Sequence, residues 1–237
     1  MPTITITGHL GARARELGMA VAAILGIDYI DQLILVDAAH ALGVPVNVVA
    51  QHDERTATLG ERLSAALNRF LERSAMTGAG DPVLGSSGLD VLLDRSYTEI
   101  AAEAAASPAV DENRYREALA GIMNELGRKG NILIVGRGSQ VILRELKPAL
   151  HCLCIASEPD RLNWIMERER LEKDAALSRM KEHEKHWAAF HRRLFKADVY
   201  DPQLYDLVVN TSRVSFDAAA KLIADLAVEK GRLEQNA

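Results

Sequence analysis

Cysteine is nearly absent from this chain. Its 237 residues include two, Cys152 and Cys154. They are two positions apart in an apolar run, so a strand would put both on one face. Two thiols are too few for a structural zinc site without histidine help, and they are read as strand core residues. No disulfide framework is implied, which fits a reducing cytoplasm. An excess of positive charge is also missing. The net charge is −5, and broad nucleic-acid binding needs a basic face. No apolar run is long enough to cross a membrane, because Asp31, Asp37 and His40 interrupt the longest candidates. A basic region followed by an apolar leader core is not seen at the N-terminus either, so no targeting segment is expected. Repeats and low-complexity tracts are lacking. What remains is an ordinary globular balance, with 48% hydrophobic and 26% charged residues.

The stretch Ile4 to Gly18 organises the rest. Threonine and isoleucine alternate from Thr3 to Thr7 in a β-branched run suited to a buried strand. Gly8 and Gly11 then punctuate the chain, and from Arg13 the apolar spacing turns helical through Leu17, Val21, Ile24 and Leu25. A strand, a glycine loop and a helix start together make a common phosphate cradle, because free N–H groups and the positive end of the helix dipole face the loop. The full phosphate-loop signature G-x-x-x-x-G-K-[ST] is broken here. After Gly8 the second glycine position holds Arg13, and the next two hold Ala14 and Arg15. Slipping the frame by one puts Arg15 in the lysine place and Glu16 in the hydroxyl place. Two cations at a helix start oppose its dipole, and a bound anion would relieve that cost. The plainer alternative is a tight turn with two solvated arginines.

Further along, Gly26 stops the first helix and Ile27 to Asp31 reads as a short extended piece. Asp31 sits where a strand end meets a helix, as an N-cap or as a group facing a ligand crevice. Helical spacing is expected over 32–42, 46–77 and 89–105, with turn-rich glycine segments over 77–88, and again over Glu112–Arg128. Asn131 to Val135 reads as a strand buried on both faces. Gly136-Arg137-Gly138 comes next and leads into a helix through Val141, Ile142 and Leu146. This G-x-G is not a dinucleotide fingerprint, because Val141 stands where the third glycine belongs. It leaves an arginine between glycines at a strand end, where its fork suits a phosphate, a carboxylate or an internal ion pair. Leu150 to Ala156 is another strand, and Ser157-Glu158-Pro159-Asp160 reads as a helix cap. From Arg161 to Lys196 the helices carry ten Lys or Arg against six Asp or Glu. Such a run is either a solvated face or a cationic lid able to offset phosphoryl charge. His183, His186 and His191 lie within it. His183 and His186 are three apart, not the four of H-E-x-x-H, so all three read as surface histidines and no metal site is expected. A strand over Asp206–Asn210 and a helix over Phe216–Lys230, capped by Ser215, close the chain.

This alternation predicts an α/β fold: a three-layer parallel sheet with helices on both faces, a helical insertion over about 46–125 and a lid-like region over about 172–200. Ligands in such folds sit at the C-terminal strand ends, where Arg15, Asp31 and Arg137 all fall.

Ile4 to Gly18, Leu25 to Ile34, Ile132 to Gly138 and Asp201 through Ser212 together resemble the cytidylate kinase-like family, relatives of bacterial cytidylate kinase among the P-loop nucleoside monophosphate kinases. The resemblance implies ATP as donor, with Mg²⁺, and a nucleoside monophosphate as acceptor. It implies that Gly8, Gly11, Arg13 and Arg15 line the ATP phosphates. Asp31 would stand at the monophosphate side and Arg137 would grip the acceptor phosphate. Arg192 and Arg193 would belong to the lid, and Asn210 and Thr211 would lie near the adenine ring. The chain also departs from the family's better-known members. Ala12, Arg13 and Ala14 replace a glycine-rich loop, and Glu16 cannot copy a hydroxyl's role toward Mg²⁺. Val36-Asp37 stands in place of Tyr-Arg, and Gly138 in place of an aspartate, so cytosine specificity is not implied. His183 and His186 replace lid arginines. Two functions are therefore carried forward. One is a cytoplasmic kinase acting on a nucleotide or another small phosphate acceptor. The other is a non-catalytic module that binds a nucleotide or a partner on a degenerate kinase fold. The apolar insertion could pack on its own domain or on a second subunit, which leaves a homo-oligomer open.

Overall fold

The computed structural model describes residues 2–31 and 112–235. The helices and the loop expected over 32–105 lie outside the described residues. The chain divides into two units, one of residues 1–32 with 123–237 and one of residues 33–122. The first of these units carries the sheet.

Strand β1 (Thr3–Gly8) lies at its centre, followed by helix α1 (Ala14–Leu25) and strand β2 (Asp28–Ile30). After helix α2 (Glu112–Lys129) come strand β3 (Ile132–Val135) and the short helix α3 (Ser139–Ile142). Strand β4 (Ala149–Ile155) leads into helices α4 (Glu158–Glu169) and α5 (Lys173–Phe195). A 3₁₀ turn (Pro202–Leu204), strand β5 (Leu207–Asn210) and helix α6 (Phe216–Gln235) complete the order. All pairings are parallel, in the order β2-β3-β1-β4-β5. The expected three-layer parallel α/β fold is therefore present.

The threonine–isoleucine alternation of β1 explains its central place. Ile4 and Ile6 are fully buried in one core with Leu17 and Val21 of α1 and with Ala220 and Ile223 of α6. Each isoleucine, leucine or valine among them contributes roughly 1.5–3 kcal/mol by leaving water. Thr3, Thr5 and Thr7 are buried as well. Their hydroxyls need partners there. Thr3 Oγ1 donates to the Gly127 carbonyl of α2 at 2.8 Å, and Thr5 Oγ1 shares a hydrogen bond with His151 Nδ1 at 2.8 Å. Cys152 and Cys154 face the same core as Ile4 and Ile6. Burial pushes both thiols up, Cys154 to about 12, so they are packing groups, as their spacing indicated.

Local signals set the element ends. Gly26 ends α1 in the left-handed region at φ 62°, and Ser157 caps α4, its hydroxyl accepting from the Asp160 N–H at 3.4 Å. Ser215 accepts likewise from the Ala218 N–H. One expectation changes. The helix after Gly138 stops at Ile142, short of Leu146, and β4 begins at Ala149, opposite Thr3. The charged run from Arg161 splits into two helices at Arg170, which adopts φ 52°. Among the described residues no helix is long and apolar enough to cross a membrane.

Candidate active site

The C-terminal edge of the sheet gathers the candidate residues. The β1–α1 loop begins at Gly8, where a Cβ would meet the Cys154 carbonyl oxygen at 2.8 Å. Gly11 has φ +84° and a Cβ there would meet the Arg161 carbonyl oxygen at 2.6 Å. Both glycines thus let the loop lie against its own neighbours, β4 and α4. A tight turn comes next, with Ala12 N–H donating to the His9 carbonyl at 2.9 Å. Arg13 is held at φ 60° and its guanidinium lies 4.6 Å from the Phe216 ring centre. A left-handed conformation costs a non-glycine residue roughly 1–2 kcal/mol. The first turn of α1 aims N–H groups with no intrahelical acceptor at this loop.

Arg15 points elsewhere. Its Nη2 is ion-paired with the Asp31 carboxylate at the end of β2, and the side chains are 31% and 7% exposed. Burial would push the guanidinium pKa down, but Asp31 and Tyr29 beside it hold it above its ordinary value. Burial, with Asp31 nearby, pushes the Tyr29 phenol up. Glu16 pairs with Arg168 of α4 at 2.8 Å. Asp31 pairs with Arg15 and the Phe216 ring faces Arg13, so both arginines at this helix start have partners within the chain. The capping alternative for Asp31 involves residues outside those described.

At the end of β3, Gly136, Arg137 and Gly138 adopt φ 72°, 56° and 75° in succession. Arg170 and Lys196, also at positive φ, close helix C-termini, a common resting place for that conformation. Arg137 and Arg13 do not, and strain held at strand ends marks candidate functional positions. The Arg137 guanidinium lies 5.9 Å from the Phe190 ring centre of α5. A Cβ at Gly138 would collide with the Phe195 ring.

Sequence reasoning missed the group that braces the loop. Arg161 of α4 is only 6% exposed. Its Nε donates to the Leu10 carbonyl at 2.8 Å, its Nη1 to His9 Nδ1 at 3.2 Å, and its Nη2 is paired with Glu184 of α5. A guanidinium only donates, so His9 Nδ1 accepts. Burial and then Arg161 push the His9 pKa down. The available signal was helical spacing: Arg161 lies one turn before the buried Ile165. A cavity of about 440 Å³ opens beside this brace, lined by His9, Lys181, Glu184, Lys185 and Tyr200.

The surface reading of two of the three histidines is corrected. His191 is fully buried, with Nδ1 donating to the Trp187 carbonyl at 3.0 Å. His183 is largely buried and its pKa falls to about 4, chiefly through burial and then Arg179 and Arg161. His186 is exposed. Helix α5 buries Ala176, Met180, Ala188, His191 and Leu194, and that stripe carries His191 inside. Arg192 and Arg193 are exposed in the last turn of α5. At the end of β5, the Thr211 hydroxyl points to the Ala12 and Ile155 carbonyls, both at 3.2 Å, and Asn210 Oδ1 accepts from the Ser212 N–H at 3.1 Å. Thr211 holds the β5–α6 turn against the β1–α1 loop, and Asn210 closes the turn itself. The structure therefore joins Arg15 to Asp31 and Thr211 to Ala12, and sets Arg137 on its own turn beside α5.

Mg²⁺ at phosphates ordinarily takes only one or two protein carboxylates, and Glu16, committed to Arg168, does not offer one in this arrangement. Among the described residues no three His, Cys, Asp or Glu side chains gather as a metal site.

The described residues thus form a three-layer parallel α/β protein with a glycine loop and arginines gathered at the C-terminal edge of its sheet. The chain belongs to the cytidylate kinase-like family, which it matches over residues 3–213. It is 28% identical over 102 residues to a cytidylate kinase of Methanocaldococcus jannaschii, a match covering 42% of this chain and 57% of that protein. The match thus spans little more than half of that relative. A crystal structure of an uncharacterised protein from Eubacterium ventriosum superposes with a TM-score of 0.55 at 14% identity, covering 96% of this chain and 99% of the other. Shikimate kinase from Bacteroides thetaiotaomicron gives 0.44 at 13% identity, covering 95% and 97%.

Proposed function

We propose that this chain transfers a phosphoryl group from ATP to a nucleoside monophosphate or a related small phosphate acceptor. One observation carries the reading: in a member of this family, Arg15, Asp31 and Arg137 stand at the C-terminal ends of three adjacent parallel strands. Phosphoryl transfer asks mainly for positioning and for neutralising charge. In this reading Gly8, Gly11, Arg13 and Arg15 belong to the donor-phosphate side, with Arg15 turning to it from Asp31. Arg137 grips the acceptor phosphate, with Asp31 on the same side. Lys181, Lys185, Arg192 and Arg193 add positive charge from α5, and Asn210 and Thr211 shape the edge nearest the adenine. ATP brings its own Mg²⁺, which needs no ligand from Glu16. Gly138, packed on Phe195, stands where an acid would select cytosine, so nucleotides other than cytidylate are candidate acceptors. Such a reaction suits the cytoplasm.

A second reading is favoured by a specific observation. Arg15 and Glu16 are both committed to internal partners, as a non-catalytic nucleotide-binding or partner-binding module would tolerate. Calorimetric titration of ATP with and without Mg²⁺, followed by turnover with CMP, UMP, AMP and non-nucleotide phosphates, separates the two. Binding that improves with Mg²⁺, with turnover of one acceptor, is expected. Arg137→Ala should abolish that turnover and leave ATP binding largely intact. Binding without turnover of any acceptor would favour the module.

A further inference from the structure

We propose that the Arg15–Asp31 ion pair is a resting lock, in which Asp31 occupies the guanidinium that a polyphosphate anion takes over on binding. The assignment of the anion to a nucleotide's phosphates rests on the kinase reading; the lock itself does not. Three observations carry it. The first is position. Arg15 follows β1 and Asp31 follows β2, while β3 lies between those strands. Neighbouring strands are about 4.8 Å apart, so the pair bridges the C-terminal end of β3, where ligands of parallel sheets enter. The second is incomplete satisfaction. Arg15 Nε and the Tyr29 hydroxyl are buried beside the pair without a well-aligned hydrogen-bond partner. The two groups interact with each other, but short of good hydrogen-bond geometry, and buried polar groups ordinarily have well-made partners, so a better acceptor can replace this contact. The third is the neighbourhood. Glu16, the adjacent acid, is held by Arg168, so it does not compete for Arg15. Asp31 is almost fully buried while Arg15 keeps 31% exposure, so the arginine is the member able to swing toward the loop. Its planar fork suits two phosphate oxygens.

Inorganic tripolyphosphate is the probe, because it tests the anion without the nucleoside. Its affinity is measured by calorimetry for the wild-type protein, Asp31→Asn, Arg15→Met and the double variant, each first checked for a cooperative thermal transition. Releasing Arg15 should raise the affinity of Asp31→Asn at least fivefold, and Arg15→Met should erase that gain. An unchanged or weaker Asp31→Asn overturns the lock. The same gain persisting in the double variant also overturns it, since the effect would then be the removal of a negative charge near any anion. No binding by wild type or by Asp31→Asn overturns it too. Should Asp31→Asn fail to fold, the Arg15 Nε–H resonance of the wild-type protein is followed as tripolyphosphate is added. A shift to a new saturating position supports the exchange and an unmoved resonance refutes it. A working cycle without turnover of any acceptor removes the kinase reading alone. Turnover without coupling in the cycle removes the lock alone.

Discussion

Acidification should unfold this protein partly through His183. In the folded chain its pKa is about 4, against an ordinary 6.5. Burial is the main cause, followed by Arg179, Arg161, His186 and His9. Between those values the unfolded chain binds a proton that the folded chain refuses. Stability from this residue is therefore complete above pH 6.5 and is lost as pH falls toward 4. One pKa unit is worth about 1.4 kcal/mol, so the whole loss is about 3 kcal/mol, with about 2 kcal/mol gone by pH 5. That is a large share of the 5–15 kcal/mol typical of a domain. The assay is urea denaturation at pH 7.5, 6.0 and 5.0 for the wild type and for His183→Gln. Glutamine keeps helix propensity and a polar tip but does not titrate. The variant will be less stable at pH 7.5 if Trp187, whose ring centre is 6.3 Å away, is less well packed. It should then close that gap, or overtake the wild type, by pH 5.0. Other carboxylates and histidines titrate in both proteins and cancel in the comparison. Parallel pH profiles would refute the reasoning, because they would mean that His183 takes up its proton equally in both states.

The packing sets three further outcomes. Gly138→Asp, which copies the residue of better-known relatives, should cost at least about 2 kcal/mol in urea denaturation, from positive φ and from the collision of the new Cβ with the Phe195 ring; Phe195→Ala in the same chain should recover part of it, and an unchanged midpoint would show that the ring moves freely. Arg161→Met should cost about 2 kcal/mol through the stranded Leu10 carbonyl and His9 ring, and should increase amide exchange in the β1–α1 loop; exchange unchanged there would mean the loop holds itself. Cys152 and Cys154 should ignore a thiol reagent at neutral pH until denaturant is added, since both are buried and their thiolates disfavoured; rapid labelling of the native protein would place them on an accessible face.

By itself the sequence determined the local elements. Alternation in Thr3–Thr7, the four apolar residues before Gly136 and the run from Leu150 to Ala156 each announce a buried parallel strand, because the side-chain period of a strand is two and both faces of this sheet are covered. Gly26, Ser157 and Ser215 set helix ends through backbone chemistry contained within four residues. The edge of the sheet that carries Arg15, Asp31 and Arg137 follows from the same order, since parallel strands bring their C-terminal ends together. The partners of those side chains were not legible. Arg15 was open to solvent or to an anion until β2 brought Asp31 to it. Glu16 looked like a damaged Mg²⁺ position until α4 supplied Arg168. Arg161 sat in a charge-dense run, and nothing within a turn of it names the Leu10 carbonyl, 151 residues away. His191 read as exposed because charge density hid the stripe of α5 that turns inward. Periodicity reports which way a side chain faces its own element. Only the tertiary structure decides what stands opposite, because that depends on how distant segments cross, and an ion pair or a buried ring is made by two segments at once.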